Sequence, residues 1–113
     1  MFDYDPGQFA GMNKATFIKA LTAEGIPVSG GYAALNKAPW VEKMLNDKGF
    51  KRIYGEARLK QWREENVTPQ NDKMLETTCW LGQTVLLADR GEIHRIGDAL
   101  KRIKTHAGSI VKA

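Results

Sequence analysis

The apolar positions of this chain change spacing repeatedly, and the changes divide it into short elements. Phe2-Asp3-Tyr4-Asp5 alternates apolar with acidic residues, the period of a half-buried strand, and Pro6-Gly7 breaks it. From Lys14 to Glu24 the period becomes helical. Phe17, Ala20 and Leu21 face a core, and Asn13 stands at the N-cap. Gly25 stops that helix, Pro27 prevents its continuation, and Ile26 folds back on the last turn. Between Ile26 and Tyr32 the residues Pro27, Gly30 and Gly31 forbid a long helix, so a short strand running into an open loop is expected.

Pro39 opens a second helix that presents Trp40, Val41, Met44 and Leu45 on one face and ends at Gly49. Phe50 to Tyr54 reads as irregular, and Gly55 separates it from a helix over Glu56 to Glu65 with Leu59 and Trp62 inward. Val67-Thr68-Pro69 is extended, and Asn71 caps a helix to about Thr78 that carries Met74 and Leu75. Trp80 to Ala88 is a second strand-like apolar run, interrupted by Gly82. The last helix has the clearest pattern. Ile93, Ile96, Leu100, Ile103 and Ala107 form one stripe, Asp89 is the expected N-cap, and basic residues near the C-terminal end suit the helix dipole. Gly108 to Ala113 reads as a loose tail. Strands are few and short among more numerous helices, which predicts an α+β domain: a small sheet of short strands packed by the first and last helices.

Composition narrows the class without choosing a function. The 113 residues fit one domain, 1–113, with 42% apolar and 27% charged residues, an ordinary globular balance. The longest strand-sized apolar run, Val85 to Ala88, is far below the ~20 residues of a membrane helix. Acidic residues stand near the N-terminus where a secretory signal carries basic ones. The single cysteine, Cys79, allows neither an internal disulfide nor a CxxC zinc pair, and a cytoplasmic protein without membrane partners is expected. The net charge of +4 comes from basic residues interspersed with acids, as in Arg58, Lys60, Arg63, Glu64 and Glu65. Solvated helix faces account for this better than nucleic-acid binding, which favours an unbroken basic face.

Most familiar chemistry is missing. There is neither a phosphate-binding G-x-x-x-x-G-K-[ST] loop nor a G-x-G-x-x-G turn. His94 and His106 are twelve residues apart, too far to share a ligand face, and each suits a surface or helix-packing role. Cys79, beside Trp80 and Leu81, suits an inert buried thiol, and Glu64-Glu65 suit solvated acids. No catalytic residue is assigned. What remains is the stretch from Glu24 to Trp40, the part expected to touch a substrate, which combines Ser29-Gly30-Gly31 with Tyr32, Asn36 and Lys37. Glycines permit close backbone approach, Tyr32 offers a ring and a hydroxyl, and Asn36 offers a donor and an acceptor. The same residues also fit a plain loop with a packed tyrosine.

These residues carry a family resemblance. Phe17, Ala20, Leu21, Ala23, Glu24, Gly25, Ile26, Pro27, Gly31 and Tyr32 follow a segment that resembles the C-terminal portion of the DegT/DnrJ/StrS family of pyridoxal-phosphate (PLP)-dependent aminotransferases. Pro69, Asn71 and Asp72 resemble the family's helix start, and Trp80-Leu81, Gln83 and Leu86-Leu87 its apolar strand region. Ile93, Ile96, Ala99, Leu100, Lys101 and Ile103 resemble its closing helix. The chain departs from the family at Asn36, where many members have histidine, and at Ala33-Ala34, where proline is frequent. The resemblance implies the small C-terminal domain of a fold-type I PLP enzyme acting on keto or aldehyde sugars. Gly31, Tyr32 and Asn36 would then contribute to a substrate wall. It also implies that the Schiff-base lysine, the cofactor and its phosphate site belong to a large domain absent from this sequence. Lys37 is accordingly not expected to be that lysine, and the chain alone is expected neither to bind PLP nor to catalyse. The implied partners are the large domain or a homodimer mate, and the sugar. Two other readings remain open at this point: a basic module for an anionic ligand or nucleic acid, and a structural or dimerisation unit.

Overall fold

The fold, taken from a computed structural model, is described for residues 1–112. It is mostly helical, with one small antiparallel sheet, and the chain forms two compact units. The first comprises Met1–Gly31 together with the chain from Glu76 onward; the second is Tyr32–Leu75.

The first unit is built on strands β1 (Phe2–Asp3), β2 (Val28–Ser29) and β3 (Thr78–Leu81), with helices α1 (Lys14–Ala23) and α7 (Arg90–Lys112) packed against each other. The strand order is β1-β3-β2, antiparallel throughout, with Phe2 opposite Cys79 and Ser29 opposite Trp80. Local chemistry sets the ends of α1. Asn13 accepts a hydrogen bond from the Thr16 amide at 2.9 Å, satisfying one of the donors that a helix start leaves open. At the other end Gly25 takes φ +82°, its amide donates to the Thr22 carbonyl, and the Ile26 amide donates to the Leu21 carbonyl. This pair of bonds is a Schellman closure, and Ile26, expected to fold back on the last turn, is buried in the core.

That core contains Tyr4, Met12, Phe17, Leu21, Ile26, Cys79, Ala99, Ile103 and Ala107. Phe17 is fully buried; it stacks on Tyr4 with ring centroids 4.1 Å apart and meets Phe9 edge-on at 5.0 Å. Burying one such ring stabilises by about 1.5–3 kcal/mol. The Tyr4 hydroxyl donates to the Met12 carbonyl at 2.6 Å, so the only polar atom of that ring is paired inside the core.

In the second unit, α2 (Pro39–Asn46), α3 (Lys48–Tyr54) and α4 (Glu56–Glu65) enclose a smaller core of Val41, Leu45 and Leu59, with Met44, Phe50 and Trp62 packed around it. α5 (Pro69–Thr77) then leads into β3.

Five sequence expectations change. Phe50 to Tyr54 is helical, because the Asp47 side chain accepts from the Gly49 and Phe50 amides; Gly49 lies inside the new helix rather than ending the old one. Trp40 is 59% exposed, leaving Val41 and Leu45 as the buried pair of α2. α5 begins at Pro69, two residues before Asn71, and Met74 on it is exposed. The apolar run after Trp80 stays in the sheet only to Leu81; Gly82 caps a helical turn, α6 (Gln83–Leu86), and Leu86 and Leu87 are exposed. Finally, α7 continues through the expected tail to Lys112, since Ile110 extends the apolar stripe of Ile103 and Ala107 onto the core.

Candidate functional site

The loop singled out by the sequence begins in the first unit, at the end of β2. Gly31 has φ +76°, a conformation that a side chain disfavours. A Cβ there would also lie within 3.0 Å of three indole atoms of Trp80, on the neighbouring strand. The backbone at Gly31 therefore rests directly on the indole. One residue earlier, the Gly30 carbonyl accepts from the Lys14 ammonium at 3.3 Å, and the same ammonium donates to the Thr78 carbonyl at 3.3 Å. A helix residue thus ties together the two strands that flank the loop's origin.

Tyr32 and Asn36 lie in the second unit and line one open groove of about 820 Å³, together with Leu35, Trp40 and Trp62. Tyr32 is 78% exposed, so it is not the packed tyrosine of an ordinary loop. Asn36 is half-buried, and its Nδ2 donates to the Asn66 carbonyl at 2.7 Å, which fixes the amide while its side-chain oxygen can still accept. Asn66 in turn donates through its own Nδ2 to the Trp62 carbonyl at 2.8 Å. The groove offers aromatic faces, the hydroxyls of Tyr32 and Thr68, and the side-chain amides of Asn36, Asn66 and Asn71. The structure thus brings Tyr32 and Asn36 to one surface, while Gly31 acts as part of the first unit.

The two lysines nearest the loop each have polar neighbours. Lys37 is exposed, with its ammonium 2.7 Å from the Asp72 carboxylate, and the half-buried Lys14 is bonded to two carbonyls. No lysine among the described residues is buried.

Cys79 is fully buried, and burial pushes its thiol up, partly offset by the nearby charge of Lys14. His94 is exposed and accepts from Arg90 Nε at 3.3 Å; His106 is exposed on α7. Glu65 is bonded by Arg58 and Gln61, and Glu64 is paired with Lys60 at 3.9 Å. Glu24 is held below the usual carboxylate range by hydrogen bonds from Arg102, with the Arg102 and His106 charges acting the same way. Among the described residues no cluster of three or more histidine, cysteine or acidic side chains could hold a metal ion, and no helix is long and apolar enough to cross a membrane.

Trp40 ends the stretch that the sequence points to, there expected on the buried face of α2, and it is exposed in the groove instead; Asn66, in the groove, and Trp80, beside Gly31 in the first unit, are not singled out as site residues by the sequence. For Trp80 and Asn66 the relevant partners, Gly31 and Asn36, are 49 and 30 residues away in sequence and leave no local trace.

Comparison with family models, with curated proteins and with solved structures found no match to this chain.

Proposed function

We propose that this chain is the C-terminal domain of a PLP-dependent aminotransferase acting on keto or aldehyde sugars, contributing part of the substrate wall. The observation that carries the reading is the exposed Tyr32 beside Asn36 in an aromatic groove. Two further features support it. The residues that resemble the family include the buried positions Phe17, Leu21, Ile26, Ala99 and Ile103, in the same order along the chain. The small sheet with the first and last helices packed together has the layout such a domain would need. An aromatic face can cover the apolar face of a sugar ring, and an amide oxygen can accept from a hydroxyl. In this reading the aldimine lysine and the cofactor belong to another domain.

The test is co-expression of this chain, or of the reading frame that includes it, with the lysine-bearing domain encoded beside it. The joined protein should be yellow with bound PLP and should transaminate a keto sugar, with Tyr32→Ala raising KM more than it lowers kcat. Selective pyridoxylation of a lysine in the isolated chain after borohydride reduction would overturn the reading.

A second reading, a dimerisation unit, is favoured by the exposure of Leu35, Leu86 and Leu87 at 73%, 51% and 75%. Light scattering after size exclusion decides it: a strictly monomeric chain at high concentration removes it.

A further inference from the structure

The Gly30-Gly31 doublet is the one motif of the candidate loop whose purpose the functional reading leaves open. Each glycine faces a different partner. At Gly30 the neighbours of an added Cβ would be the Ile18 side chain at 3.5 Å and the Lys14 ammonium and Cε at 3.5 and 3.7 Å. At Gly31 they would be Trp80 indole atoms, with Cδ1 at 2.7 Å and Cε2 at 3.0 Å, closer than real Cβ contacts allow. The doublet is thus gripped from two directions, by the Lys14 side chain and by the face of Trp80. The Gly30 carbonyl is bonded to the Lys14 ammonium, whose bond to Thr78 anchors it to the start of β3. Trp80 is opposite Ser29 in the same ladder, so the indole is itself fixed to the strand that delivers the doublet.

The charge of Lys14 has a purpose here. A half-buried ammonium needs acceptors, and backbone carbonyls at the end of β2 and the start of β3 supply two of them. Hydrogen bonds from a charged donor are stronger than those between neutral groups. The sheet ladder is only two residues long on the β2 side, so ladder bonds alone hold the end of β2 weakly.

We propose that Lys14 and Trp80 are positioning residues, a paired clamp that fixes the backbone of Gly30-Gly31 and hence the point at which the chain leaves the sheet for Tyr32. The functional meaning of that fixed exit rests on the proposed role of Tyr32, but the clamp itself is a property of the free chain. It is therefore tested without any ligand, and its failure would leave the aminotransferase reading standing or falling by its own test.

The experiment combines backbone amide order parameters from nitrogen-15 relaxation with urea unfolding, on the whole chain. In the parent protein the Gly30, Gly31 and Tyr32 amides should be as ordered as those of α1 and α7, near ~0.85. Lys14→Met keeps the stem and removes the ammonium; it should lower order at Gly30 and Gly31 below ~0.6 while the helices keep theirs. Trp80→Ala should do the same at Gly31 and Tyr32, and Trp80→Phe should restore much of the order. Gly31→Ala should shift the urea midpoint strongly in the parent and less in Trp80→Ala, where the clash is gone and only the backbone strain remains. If Trp80→Ala proves too unstable to measure, Lys14→Met carries the test alone. Unchanged order at residues 30–32 in Lys14→Met, or an equal effect of Gly31→Ala with and without the indole, overturns the proposal.

Discussion

Tyr4→Phe isolates one atom of the first unit's core. The substitution keeps the ring that stacks on Phe17 at 4.1 Å and tilts against Phe9 at 5.3 Å. It deletes only the hydroxyl that donates to the Met12 carbonyl at 2.6 Å, leaving that carbonyl without its buried partner. A buried group left unpaired in this way costs about 1–3 kcal/mol, a large part of the ~5–15 kcal/mol that domains of this kind possess. At a urea m-value of about 2 kcal/mol per molar, a loss of about 2 kcal/mol moves the midpoint down by roughly 1 M. The pH dependence separates the hydroxyl from a general packing defect. Burial raises the Tyr4 hydroxyl above its ordinary value of 10.0, with the nearby charges of Cys79 and Asp5 acting in the same direction. A group raised on folding contributes its stability fully below its unfolded value and loses it as pH rises through the folded one. Above its ordinary value of 10.0 the parent should therefore lose stability through an ionisation that the Tyr4→Phe variant cannot undergo, and the gap between the two proteins should narrow there. The assay is urea unfolding followed by far-ultraviolet circular dichroism, at neutral pH and at several alkaline values on either side of that point. A variant as stable as the parent at neutral pH, or a gap that widens in alkali, would refute the reasoning.

Three further outcomes follow from the same structure. Gly25→Ala meets no side chain, so only the cost of φ +82° applies; destabilisation of about 1–2 kcal/mol is expected by chemical denaturation, and no change would remove the Schellman closure from the account. The Glu24 carboxyl should titrate below its ordinary 4.5 in a carbon-detected NMR titration and return towards it in Arg102→Met; because its value is depressed, the ion pair's contribution to stability is lost as pH falls through the folded value. Cys79 should resist alkylation in the native protein and react readily in urea, since it is fully buried with its thiol raised by burial.

What is legible in the sequence is what local chemistry decides. Asn13 and Gly25 bound α1 because a cap and a left-handed stop act within a few residues, and Asp89 opens α7 in the same way, accepting from the Glu92 amide at 2.9 Å. The stripe on α7 is readable because helical periodicity accumulates over several turns. Short elements are harder. Gly49 reads as a stop unless Asp47 is weighed as a cap, and four apolar residues from Val85 to Ala88 fit a strand as well as a turn of helix. The tail illustrates a subtler point: Ile110, three residues after Ala107, continues the stripe, and its contact with the core outweighs the low helix propensity of Gly108.

The candidate site divides along the same line. Glycine chemistry and an exposed tyrosine are foreseeable at Gly31 and Tyr32. The groove is not, because Asn36 is oriented by Asn66, 30 residues away; within the first unit, the contact of Gly31 with Trp80 is likewise one that only the folded chain creates.

The central claim is that this chain supplies a wall and another domain supplies the lysine. The most direct measurement is the genomic sequence around the codon for Met1. The account predicts a segment, in frame upstream or in an adjacent reading frame, that encodes a lysine-bearing PLP domain. If neither frame encodes such a domain, the claim is contradicted.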